Sequence, residues 1–198
     1  MLLTTVAFAL AVTTTPSADF NKAIFAAGCF WCVETAFESQ PGVTAVVSGF
    51  AGGTRPNPTY HEVSDGGTGY TEAVEVTFDP AKTSYEKLLG LYWNNVDPVD
   101  ASGQFCDRGN QYRPGIFYLN ESQRVAAEAS KTKATSAKKV SGDIVVEITK
   151  AGTFYAAEDY HQDFWKKDSG RYYSYRRGCG RDARLEKVWG EPPHPAVH

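Results

Sequence analysis

The chain of 198 residues has no surplus of cations: 20 Lys and Arg stand against 23 Asp and Glu, for a net charge of -3. It therefore offers no basic stripe for nucleic acid and no polybasic patch for a membrane surface, and neither partner is expected. The four His occur at no metal-ligand spacing and no zinc-type pair of CxxC motifs is present, so no metal is expected. The glycine pairs at 52–53 and 66–67 lack the strand-to-helix setting of a phosphate loop, which removes the case for a nucleotide cofactor. No internal repeat and no linker divides the chain, so residues 19–198 are read as one domain.

Charge is also missing from residues 1–18, MLLTTVAFALAVTTTPSA, where a short apolar run from Met1 to Val12 gives way to small and turn-forming residues. The run is too short to span a membrane and reads as a secretory signal, with a disordered N-terminal segment and a cytoplasmic protein as the alternative. Export would place Cys29, Cys32, Cys106 and Cys179 in an oxidising compartment, where disulfides are common. Four Cys allow three pairings, and spacing does not choose among them.

What is present is a succession of short periodic segments. KAIFAA reads as a buried strand that turns at GCFW into a helix continuing through Val33, Ala36 and Phe37, closed by Pro41-Gly42. VTAVVSGFA, TEAVEVTF, IFYL and DIVVEITK read as strands, SYEKLLGLYWNNV and ESQRVAAEASKTKATSAKK as amphipathic helices. Two long loops, GGTRPNPTYHEVSDGGTGY and DPVDASGQFCDRGNQYRPG, are too rich in Gly, Pro and Asn for regular structure to be expected. EDYHQDFWKK reads as a short helix, and residues 171–190 as a partly irregular tail. The expected fold is α+β: a two-layer sandwich with a mixed sheet flanked by helices, a ferredoxin-like core and long loops.

The stretch GCFWC places Phe30 and Trp31 between two thiols, bulk that a redox CxxC does not itself need. Cys29 sits where a strand becomes a helix, a position expected to lower its pKa through the free N–H groups of the first turn. Gly28 before it is expected to let a ligand approach the backbone. Glu72 opens an apolar strand after the glycine-rich loop, where a carboxyl can keep its proton near neutrality and act as a general acid. Tyr60 and Tyr112, both in loop sequence, can donate hydrogen bonds to an oxygen that gains charge.

Together, GCFWCVE (28–34), GFAGGTRPNPTYHEVSDGGTGYTEAVEVTFDP (49–80), QYR (111–113) running into IFY, and EDYHQDF (158–164) resemble the A-type peptide methionine sulfoxide reductases. The resemblance implies that Cys29 attacks the sulfoxide sulfur, Glu72 delivers a proton to its oxygen, and Tyr60 and Tyr112 hold that oxygen. It further implies that Phe30 and Trp31 cup the S-methyl group, with Asp107 and His161 as further residues of the substrate site. Methionine leaves and Cys29 remains as a sulfenic acid, which a second Cys converts to a disulfide. The S epimer, free or in proteins, is the implied substrate, thioredoxin or a thioredoxin-like dithiol the implied reductant, and a monomer the expected state.

Many members of that family carry Gly where this chain has Cys32, and their resolving Cys lies in a Gly-rich C-terminal tail. Cys179, in RRGCGRD, has that neighbourhood and is the implied resolving residue, with Cys106 in reserve. A resting Cys106–Cys179 bond competes with this and would leave Cys32 or an external thiol to resolve. Two other function classes stay open: a general thiol-disulfide oxidoreductase using Cys29 and Cys32, and a disulfide-stapled exported binding domain.

Overall fold

The computed structural model describes residues 21–190; the segment read as a secretory signal lies outside them. Among the described residues no helix is long and apolar enough to cross a membrane. In chain order the elements are β1 (Lys22–Ala26), α1 (Phe30–Glu38), β2 (Val43–Ala51), α2 (Tyr60–Ser64), β3 (Thr71–Phe78), α3 (Tyr85–Asn94), β4 (Gly103–Gln104) and β5 (Asp107–Arg108). They continue with β6 (Gly115–Tyr118), α4 (Glu121–Ala137), β7 (Glu147–Lys150), β8 (Tyr155–Ala156), α5 (Phe164–Lys167), α6 (Ser169–Gly178) and α7 (Arg181–Trp189).

Six strands form one mixed sheet in the order β7-β6-β1-β3-β2-β8, parallel only between β6 and β7. Strand β1 is central and covered on both faces, which explains its unbroken apolar run. Ala23 and Phe25 join Val74, Val76, Ile116 and the apolar sides of α1, α3 and α4 in the main core, while Ile24 and Ala26 meet Ala51, Ala73 and Phe117 on the other face. Phe25 stacks on Phe37, Tyr85 and Tyr92, with centroids 5.0, 6.1 and 5.3 Å away, and so ties β1 to α1 and α3.

The mixed α+β sheet flanked by helices agrees with the sequence reading, but several local readings need correction. The first long loop contains α2, which starts at a complete capping box: Thr59 accepts from the Glu62 N–H, and Glu62 accepts from the Thr59 N–H. The second long loop folds back as the hairpin β4–β5, followed by a 3-10 turn over Asn110–Tyr112. DIVVEITK pairs only over its last four residues, because β6 offers only Gly115–Tyr118 as a partner. In EDYHQDFWKK only Phe164–Lys167 is helical. The tail read as partly irregular is two helices, α6 and α7, separated by Gly180 in the left-handed region (φ 68°).

Candidate active site

The turn between β1 and α1 is shaped by Gly28, whose φ of +81° suits glycine. A Cβ there would lie 2.6 Å from the Cβ of Gln104, so the close neighbour is a buried glutamine and not a ligand. Gln104 in turn holds Asp97 with two backbone hydrogen bonds of 2.8 Å. Arg181, fully buried on α7, donates to the carbonyls of Ala27 (3.0 Å) and Asn95 (2.8 Å), with its guanidinium 4.4 Å from the Phe105 ring centroid. The turn that presents Cys29 is thus fixed from three directions.

Cys29 is the N-cap of α1, and its side chain caps no backbone N–H. The first N–H of the helix, that of Phe30, goes instead to Glu72 Oε2 at 2.9 Å. The expected lowering of the Cys29 pKa is therefore replaced by the reverse: burial, the hydrogen bond and charge of Cys32, and the charge of Glu72 raise it well above the ordinary thiol value. Cys32 is the more acidic partner, drawn down to about 7 by its hydrogen bond with Cys29 and by the guanidiniums of Arg181 and Arg176. Glu72, 3% exposed, is pushed up to about 8, mainly by burial, against the Phe30 hydrogen bond that favours its charged form. At neutral pH it carries a proton within the site.

Tyr60 begins α2, with its N–H on Glu158 Oε1 at 3.1 Å. Its hydroxyl pKa rises to about 12, chiefly by burial and then by the charges of Glu72 and Cys29. Tyr112 closes the 3-10 turn and is raised further by burial and by Glu72, Tyr60, Asp107 and Cys29. Both phenols remain donors; the Tyr60 ring lies 6.2 Å from that of Phe30, and Thr71, next to Glu72, donates to the carbonyls of Gln111 and Arg113 on either side of Tyr112. Asp107, on β5, accepts a short hydrogen bond from the Tyr175 hydroxyl, and burial raises its pKa.

The aromatic residues of GCFWC take different positions. Phe30 is 1% exposed and lies among Phe50, Tyr60 and His161, with centroids 6.0, 6.2 and 4.9 Å away. Trp31 is partly exposed and stacks flat on Phe164 at 3.7 Å. Its indole N–H donates to Nδ1 of His161 at 3.1 Å. His161 is buried in a turn, and desolvation lowers its pKa to about 4, so it is neutral and orients Trp31. Cys106 and Cys179 are bonded to each other, and Cys29 and Cys32 are free thiols.

A family model described as Peptide methionine sulfoxide reductase matches residues 21–193. The chain belongs to the peptide methionine sulfoxide reductase family. Peptide methionine sulfoxide reductase MsrA of Listeria innocua is 54% identical over 171 residues, covering 86% of this chain and 97% of the relative. Among solved structures, methionine sulfoxide reductase A of Corynebacterium diphtheriae superposes with a TM-score of 0.68 at 33% identity, over 78% of this chain and 77% of the other. Mxr1 of Saccharomyces cerevisiae in reduced form gives a TM-score of 0.70 at 25% identity, over 75% and 86%.

Family membership makes the chain an oxidoreductase of methionine sulfoxide, and the structure adds residues that the sequence reading missed. Glu34, buried on α1, accepts from Ser48 Oγ at 3.1 Å and from the Asp163 N–H at 3.0 Å, tying the reactive helix to β2 and α5. Arg176, buried on α6, pairs with Asp182 at 2.6 Å and faces Cys32. The Tyr175 hydroxyl donates to Asp107 and is among the groups that favour the Cys29 thiolate. All but Glu34 lie in the tail read as partly irregular. Their spacing from Cys179 and from one another along a helix was the available signal.

Proposed function

We propose that the chain reduces the S epimer of methionine sulfoxide, free or within proteins, with Cys29 as nucleophile. The Cys29 sulfur attacks the sulfoxide sulfur, Glu72 protonates the oxygen, and Tyr60 and Tyr112 hold that oxygen as charge develops on it. Phe30 and the ring of Trp31, oriented by His161, supply the apolar wall for the S-methyl group, and Asp107 completes the polar side. Thiol and sulfoxide are converted to Cys29 sulfenic acid and thioether: the substrate sulfur gains two electrons and Cys29 gives them up. The observation that carries the reading is the buried Glu72 carboxyl that accepts from the N–H of the residue after Cys29, with the Tyr60 ring beside Phe30 and Tyr112 anchored through its neighbours to Thr71 next to Glu72.

Cys32 is the resolving thiol of the form described, since Cys106 and Cys179 are engaged with each other. Condensation of Cys29–SOH with Cys32–SH gives a disulfide and water, and one turn of helix separates the two residues. Cys179 or Cys106 could take this role only after exchange opens their bond. A thioredoxin-like dithiol is the reductant; Mxr1, solved also in complex with Trx2, supports this class. The apolar, uncharged segment 1–18 is the basis for proposing export to an oxidising compartment, which N-terminal sequencing of the mature protein would test.

The test is turnover of acetylated methionine sulfoxide with dithiothreitol, beside insulin reduction. Sulfoxide turnover that is lost in Cys29→Ser supports the reading; insulin reduction alone favours general disulfide exchange. Trapping the oxidised enzyme and mapping its bonds decides between Cys32 and Cys179.

A further inference from the structure

Cys106, Asp107 and Cys179 meet where β5 touches the turn between α6 and α7, with one ligand atom of each inside a span of 4.8 Å. Cys106 Sγ is 3.8 Å from Asp107 Oδ1, and Cys179 Sγ is 3.9 Å from Asp107 Oδ2. A tetrahedral ion with metal–sulfur bonds of about 2.3 Å and a metal–oxygen bond of about 2.1 Å needs sulfur and oxygen about 3.6 Å apart, and its two sulfurs about 3.8 Å apart. The carboxylate already stands near that range from both sulfurs, so only the bond between the sulfurs is in the way. We infer that, once a dithiol has opened the Cys106–Cys179 bond, these three residues form a site for a thiophilic divalent cation such as Zn²⁺, with water in the fourth position. The site goes beyond the proposed sulfoxide chemistry, and its existence does not depend on that chemistry.

The surroundings suit such an ion. Asp107 Oδ2 accepts from the Tyr175 hydroxyl, the kind of outer contact that orients a ligating carboxylate, and this leaves Oδ1 for the metal. Two thiolates and a carboxylate around a divalent cation carry one net negative charge, and two guanidiniums stand beside it. Arg181 lies 4.4 Å from the centroid of the Phe105 ring, and Arg108 donates to the Phe105 carbonyl, directly before Cys106. Both favour the ionised form of Asp107. Cys106 is exposed, and a cleft of about 460 Å³ lined by Asp97, Asp100, Arg108 and Cys179 gives a hydrated ion access. No ligand spacing announces the site in the sequence, because its two thiols are 73 positions apart.

Opening the bond is a two-electron exchange. An external dithiol gives up two electrons and two protons, becomes a disulfide and leaves Cys106 and Cys179 as thiols. Rotation about their Cα–Cβ bonds then separates the sulfurs, and binding of the cation releases both thiol protons. The ion thereby takes over the cross-link between β5 and the α6–α7 turn that the disulfide makes in the oxidised protein.

The experiment uses the full chain carrying Cys29→Ser and Cys32→Ser, in which Cys106 and Cys179 are the remaining thiols. After reduction with dithiothreitol and anaerobic removal of the reagent, a thiol count verifies the open bond, and Co²⁺ is titrated as a coloured stand-in for Zn²⁺. Stoichiometric thiolate-to-cobalt charge-transfer absorption is expected in the reduced protein, none in the oxidised protein, with bleaching by Zn²⁺. Asp107→Asn should weaken cobalt binding by more than about tenfold, and Tyr175→Phe by about tenfold, as the loss of a ligand and of its outer support. Zn²⁺ should raise the melting temperature of the reduced protein more than that of the oxidised protein. Absence of the charge-transfer band, an undiminished band in Cys106→Ser, unchanged affinity in Asp107→Asn, or a bond that dithiothreitol does not open would each overturn the site. Should the double substitution at 29 and 32 prevent folding, wild type is titrated beside Cys106→Ser, and an undiminished band there overturns it. Absence of sulfoxide turnover would instead refute the proposed function, since the cobalt spectrum requires none.

Discussion

Replacing Glu72 by Gln should make the protein more resistant to alkaline unfolding while nearly abolishing its chemistry. The carboxyl is 3% exposed and its folded-state pKa is about 8, above the ordinary 4.5. The folded chain then binds this proton more tightly than the unfolded chain, so the contribution to stability is full below about 4.5 and is lost as pH rises through about 8. At about 1.4 kcal/mol per tenfold, the interval between the two values corresponds to roughly 4–5 kcal/mol, of which about 3–4 kcal/mol falls between pH 5 and pH 8. Gln keeps an oxygen for the Phe30 N–H and has no proton to lose, so its stability should lack this slope. Glu34, which burial raises to about 7, titrates in the same range but is common to both proteins and cancels in the difference.

The assay is urea unfolding of wild type and Glu72→Gln at half-unit steps from pH 5 to pH 8.5, paired with single-turnover sulfoxide reduction. Wild type should lose stability relative to the variant by about 4 kcal/mol across that range. Its reaction rate should fall through about pH 8, where the variant should be slower by on the order of 10²-fold or more at every pH. Parallel stability curves would show that Glu72 is ionised in the fold at neutral pH, and the reasoning that makes it the acid would fail. A gain in stability at the expense of activity is the usual relation for a group buried for its chemistry.

Three further outcomes can be checked. Cys106→Ser should lower unfolding free energy by about 4 kcal/mol under non-reducing conditions, since the bond closes a loop of 73 residues; denaturant midpoints with and without reductant measure this. Gly28→Ala should destabilise by about 1–3 kcal/mol, from the left-handed backbone and the approach of Gln104, as read from chemical unfolding. Tyr60→Phe and Tyr112→Phe should each slow single-turnover reduction, by up to about 10²-fold, with little change in melting temperature.

The periodic segments were legible in the sequence because their burial is simple. β3 alternates along Val74, Val76 and Phe78, α3 repeats apolar residues every three or four positions, and these side chains enter the main core. The tail failed to show its helices because apolar side chains are only part of what α6 and α7 bury: Tyr172, Arg176 and Arg181 lie inside beside Leu185 and Val188, with hydrogen bonds between Tyr172 and Arg176, to Asp182 and to distant carbonyls. Apolar periodicity does not register such a face. Helix α2 was hidden by its glycine-rich surroundings, although Thr59 and Glu62 stand at capping-box spacing. The direction of the Cys29 pKa was misjudged for a related reason. Its position at a helix start is visible in the chain, but the enclosure by Cys32, Glu72 and neighbouring walls belongs to the tertiary structure.

The grip of Arg181 on the carbonyl of Ala27 spans 154 positions of chain. Synthesis delivers the nucleophile's loop well before its anchor, so a growing polypeptide exposes its thiols long before they acquire their selective surroundings. Maturation of this enzyme is thereby coupled to completion of α7, and a product shortened before position 181 would carry its thiols without the anchor that holds their turn.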